Sequence, residues 1–131
     1  MGCRTLRGAR GVIMVLVKLF HSWKSGSNLG KGMKSSRAGN LTDALEYFQN
    51  ALYHAEKTDN MGGIAFKLEI IAQTYYKMGE SEKAADYAIN SLDLYSQIQN
   101  MNPSGQTEDQ DNPINKSVQR IKDLQNLIRT G

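Results

Sequence analysis

The chain has little of what cross-links a fold, breaks a helix or spans a membrane. Among 131 residues there is one cysteine, Cys3, and there are two prolines, Pro103 and Pro113. A lone cysteine excludes an internal disulfide and any multi-cysteine metal site, and it suits a reducing compartment. Few prolines and few β-branched runs favour helices over strands. The longest apolar run, residues 11–20, is ten residues long and has Lys18 inside it. Crossing hydrocarbon as a helix takes roughly 20 residues, so this run does not cross unaided.

Acid is also missing from one end. Residues 1–42 carry eight basic side chains (Arg4, Arg7, Arg10, Lys18, Lys24, Lys31, Lys34 and Arg37) and no Asp or Glu. Residues 43–131 carry eight basic and thirteen acidic ones, so the two parts stand at +8 and −5. A basic leader therefore precedes a slightly acidic domain. With 40% hydrophobic residues the chain can build one modest core.

Residues 1–25 form the leader, and they allow several readings. The order of arginines and then apolar residues is that of a secretory signal, but Lys18 interrupts it and no small-x-small site follows. An arginine-bearing, acid-free start also fits targeting to a mitochondrion or plastid. Gly2 and Cys3 suggest a lipidated start, yet Leu6 stands where that pattern wants Ser or Thr. An apolar helix carrying Val12, Leu16, Leu19, Phe20 and Trp23 between basic flanks could lie in a membrane interface or dock on a partner. The remaining reading, favoured over each of the others, is a helix that completes the core.

Beyond the leader the chain is periodic. Gly26 to Arg37 is rich in Gly, Ser and Lys and reads alone as a linker. Ala44, Leu45, Phe48, Ala51, Leu52 and Ala55 then share one helical face, with Thr42 placed to cap its start. Ala65, Leu68, Ile71, Ala72, Tyr75 and Met78 form a second stripe closed at Gly79, and Ser81 can cap a third helix carrying Ala84, Ala85, Ala88, Ile89, Leu92 and Tyr95. The segment Gly39-Asn40-Leu41-Thr42-Asp43-Ala44 is answered by Gly79-Glu80-Ser81-Glu82-Lys83-Ala84, 40 residues on.

These residues resemble the tetratricopeptide repeat (TPR), a helix-turn-helix unit in which small and aromatic residues at fixed offsets let two antiparallel helices pack closely. Around Gly79 the family's positions hold Ala72, Tyr75, Ala84, Ala88 and Ser91; around Gly39 they hold Gly32, Ser35, Ala44, Phe48 and Ala51. The proline that ends the family's unit is absent, Glu56 and Ser96 standing there instead. A 40-residue spacing matches the longer TPR variety, with a link at 59–63 before the next helix. The layout is also loosely similar to the small TPR assembly factors of photosystem I, without that family's third repeat.

The resemblance implies an all-α fold: a short right-handed superhelix of about two TPR helix pairs over 26–98, an extra N-terminal apolar helix over 1–25 and a C-terminal capping helix over 114–131. Between them, residues 99–113 are polar, acidic and aperiodic, and read as a solvated loop. The capping stripe is Ile114, Val118, Ile121, Leu124 and Ile128.

No catalytic arrangement stands out. His21 and His54 lie in different segments without a third ligand at metal spacing, and the glycine pairs lack the Lys-Ser/Thr ending of a phosphate loop. No enzyme, cofactor or metal is expected. The resemblance places a partner-binding concave face on the first helix of each unit, at Phe66, Glu69, Gln73, Tyr76 and Lys77 and at Leu29, Met33, Ser36 and Arg37. Glu69 stands where a carboxylate clamp wants a cation, which argues against such a clamp. Phe66 and Tyr76 could equally be covered within the molecule.

The expected function is a non-catalytic protein-protein interaction module, a small adaptor or assembly subunit of a larger complex. Two units are few for a stable stack, so self-association or docking is expected to help. The alternative is a nucleic-acid-binding ribonucleoprotein subunit using the basic arm.

Overall fold

In a computed structural model the chain is described over residues 2–101 and 112–131, with side chains from Arg10 onward. Five helices account for it: α1 (Gly2–Arg37), α2 (Leu41–Glu56), α3 (Met61–Lys77), α4 (Ser81–Met101) and α5 (Pro113–Thr130). Among the described residues there is no strand. Short turns fold α1 against α2 and α3 against α4 as two antiparallel pairs; α3 lies on α2, and α5 closes the open side of α4 and α3.

Helical spacing explains each buried stripe. Ala44, Phe48, Ala51 and Ala55 turn one face of α2 inward. The central helix α3 is covered by three neighbours and buries Ala65, Leu68, Ile70, Ile71, Ala72 and Tyr75. Ala84, Ala88, Ser91 and Tyr95 pack from α4, and Ile121 and Leu124 from α5. The small residues let the backbones approach, while Phe48 and Ile71 fill the space between the pairs.

Both turn glycines take positive φ, +86° at Gly39 and +84° at Gly79. Each closes its helix with the same two bonds: Asn40 N to Ser35 O and Gly39 N to Ser36 O, then Glu80 N to Tyr75 O and Gly79 N to Tyr76 O. This Schellman pattern needs a left-handed residue, the conformation glycine adopts most cheaply. Thr42 is not a cap; the N-cap of α2 is Asn40, which makes no side-chain capping bond. Asn60 caps α3 by accepting from Gly63 N, and Asn112 caps α5 by accepting from Ile114 N with Pro113 in the first turn.

The pairs correspond at a 40-residue offset in their turns and at one point of contact between their helices. Ser25 donates its hydroxyl to Ala51 O at 2.8 Å, and Ser91 donates to Ala65 O at 2.7 Å. Position 25 corresponds to 65 and position 51 to 91, so the same point of contact is bonded twice with donor and acceptor helices exchanged. Gly32 against Phe48 corresponds likewise to Ala72 and Ala88.

The offset assigns residues 21–37 of α1 to the first pair, matching Met61–Lys77. The segment from Gly26, which taken alone reads as a linker but which the repeat pattern assigns to the first helix pair, is helix, and the apolar leader is the same helix continued. Packing overrides poor propensity there: Ser25 is tied to Ala51, Asn28 bonds Lys24 O, and Gly32 is buried. Residues 2–17 continue past the pair, about 24 Å at 1.5 Å per residue, while Lys18 and Phe20 still reach Asp59 and His54. Of the leader's described residues, those from Arg10 to Phe20 do not complete the core, since every one of them is exposed; Ser25 at its end is buried against Ala51. Of the loop expected over 99–113, residues 102–111 lie outside the described residues; 99–101 extend α4, and Pro113 opens α5.

Candidate functional site

A groove of about 320 Å³ runs along the inner side of α1, α3 and α5. Met33 and Arg37 enter it from α1, and Phe66, Gln73 and Lys77 from α3, because both helices pack on α2, whose Phe48 also lines the groove. Seven of the nine residues placed on the concave face from the sequence therefore line one groove: these five, Ser36 and Glu69.

Glu69 and Tyr76 do not serve as expected. Glu69 is 1% exposed and is held by Arg120 of α5, with Nε to Oε1 at 3.0 Å and Nη2 to Oε2 at 3.2 Å. Burying a carboxylate this deeply requires a paired cation, and the forked guanidinium satisfies both oxygens. Glu69 is therefore committed inside the molecule rather than offered to a partner. The same Nη2 donates to Ser117 Oγ at 2.7 Å, one turn earlier on α5. The bond to Glu69 holds the Arg120 guanidinium above the usual arginine range, against the opposing effect of burial. Tyr76 is outside the groove lining and packs against the core residues of both pairs. Leu29 likewise packs on the core.

Arg120 is the charged groove residue that sequence reasoning misses, beside Phe48, Ile70 and Thr74. Its signal is indirect: an acid between Leu68 and Ile70 in an apolar stripe needs a cation, but the sequence does not say which one.

A second cluster lies where α1 leaves its pair. His21 Nδ1 and His54 Nδ1 are 2.9 Å apart, so one ring donates and the other accepts. Phe20 and Tyr53 meet the His54 ring edge-on. Desolvation first, then the neighbouring His21 and Lys24, lower the His54 pKa below its ordinary 6.5. Two histidines placed apart by the sequence are thus brought together by packing. Among the described residues no group of three His, Cys, Asp or Glu side chains could hold a metal.

The apolar docking residues lie along α1, from its projecting part into the start of the first pair. Val12, Leu16, Leu19, Phe20 and Trp23 are 59%, 58%, 61%, 50% and 64% exposed. Lys24 sits over the Trp23 and Phe20 rings, at 5.0 and 5.9 Å from their centroids. Lys18 is paired with Asp59 on the link between α2 and α3. No helix among the described residues is long and apolar enough to cross a membrane. Compared with family models, curated proteins and solved structures, the chain matches none.

Proposed function

We propose that the chain is a non-catalytic, TPR-like protein-binding module, a small adaptor or assembly subunit whose groove takes an extended segment of a partner. One observation carries this: Met33, Arg37, Phe66, Gln73 and Lys77, drawn from two helices, converge on a single open groove. Apolar Met33 and Phe66 supply contact area, while Gln73 and the two cations supply direction. With Glu69 neutralised by Arg120, the exposed charges are those of Arg37 and Lys77, which suits an acidic segment.

The test is affinity capture with the full chain and with an Arg37→Glu, Lys77→Glu variant. Both positions are exposed, so the variant is expected to keep its fold, which far-ultraviolet circular dichroism checks. Loss of the captured partners supports the proposal; identical capture by both proteins overturns it.

The second reading, a ribonucleoprotein subunit, draws on the acid-free α1. It is less favoured because Lys24 already occupies the faces of Phe20 and Trp23, which base stacking would have to displace.

A further inference from the structure

The geometry points to the outward face of α1 as a docking surface for an anionic lipid bilayer, with the apolar part of the helix entering the interface and its lysines resting on the headgroups. This is independent of the groove.

The orientation follows from register. Ser25 and Gly32 are buried toward α2, and Lys18, seven residues before Ser25, is paired at the same side with Asp59. The opposite row, at alternating steps of four and three, is Leu16, Phe20, Trp23, Ser27, Gly30 and Lys34, the Phe20 ring being half exposed and reaching round to His54 at one edge. It begins apolar and ends basic, and Lys31 is exposed beside its basic end.

Two features decide the occupant. The first is charge: α1 holds eight cations and no acid, so a second copy laid along it would set cations against cations. An anionic surface reverses that sign, at about 1 kcal/mol per cation near the headgroups. The second is the distribution of exposure. Val12 to Val17 are six consecutive apolar residues, each between 47% and 61% exposed, so most of the run's circumference is open, with Val15 bordering the α2–α3 link. A partner helix covers one narrow stripe of such a run, whereas an interface into which the helix sinks covers a broader arc of it. Ten apolar-run residues give about 15 Å of helix, half the hydrocarbon thickness, so the segment lies in the interface rather than crossing it.

Trp23 is the only tryptophan and stands on this face, so its emission reports directly. The full chain is titrated with phosphatidylcholine vesicles, with and without phosphatidylserine, following Trp23 fluorescence and flotation. A blue shift and flotation with the anionic vesicles alone are expected. Lys31→Glu with Lys34→Glu is expected to weaken partitioning at least about tenfold, and Leu16→Glu with Leu19→Glu to abolish the shift while far-ultraviolet circular dichroism is unchanged. Emission unmoved by anionic vesicles overturns the proposal, even if neither variant folds. So does an equal response to neutral vesicles, or a shift produced by RNA instead. A lipid-free dimer with Trp23 already shielded would assign the face to a second copy and overturn it equally.

Discussion

Gly32 lies so close to Phe48 that a Cβ placed on it would stand 2.5 Å from the ring. The ring is 1% exposed and has nowhere to go. Gly32→Ala gains about 1 kcal/mol of helix propensity but forces an overlap costing about 1–3 kcal/mol, so a net loss of stability is expected. In a Phe48→Leu background the same substitution should become neutral or stabilising. Denaturant midpoints for the four proteins of the cycle measure this reversal of sign.

Arg120→Ala leaves Glu69 buried without its cation. Removing one partner of a buried pair costs about 3–5 kcal/mol, and the half-exposed Arg120 places this case at the lower end. Replacing both by leucine should recover much of the loss, because no charge then remains inside. Thermal unfolding of the single and double variants tests the difference.

The histidine pair makes stability fall on acidification. The folded-state pKa of His54 lies below 6.5, so at pH values between the two the unfolded chain binds more protons. Stability is complete above 6.5 and is lost as pH drops through that value toward the folded pKa. Protonating both rings also removes the acceptor from a bond with 2.9 Å between the nitrogens. Denaturation midpoints measured against pH should show this loss, and His54→Gln should flatten it.

Gly39→Ala and Gly79→Ala each put a Cβ into open space but at φ near +85°. The cost is therefore conformational, about 1–2 kcal/mol, reduced by the stiffer unfolded chain. Similar midpoint losses at the two positions are expected, because both turns carry the same pair of backbone bonds.

The stripes of α2 to α5 are legible in the sequence because helical period is a local property: Ala44, Phe48 and Ala51, or Ala84, Ala88 and Ser91, declare their face without a neighbour. Continuity of α1 through Gly26 and Gly30 is not legible, since its support comes from Ala51 and Phe48 on another helix. The groove cations Arg37 and Lys77 follow from position in the pair. The Arg120–Glu69 pair spans 51 residues and the His21–His54 pair 33, and both depend on which helix faces come to meet. Exposure of Val12 to Phe20 was the reverse case. Apolar residues ordinarily suggest burial, and here the packed helices end before they could provide it.

The exchanged serine bonds make the two pairs non-interchangeable building blocks. Ser25 supplies the hydroxyl from the first helix of its pair, and Ser91 supplies it from the second. A hybrid that joined the first helix of one pair to the second helix of the other would receive either two serines or two alanines at that point. One graft crowds two hydroxyls into a site shaped for one, and the other leaves no tie between the helices. Lengthening this protein by copying a unit therefore requires that each pair be transplanted whole.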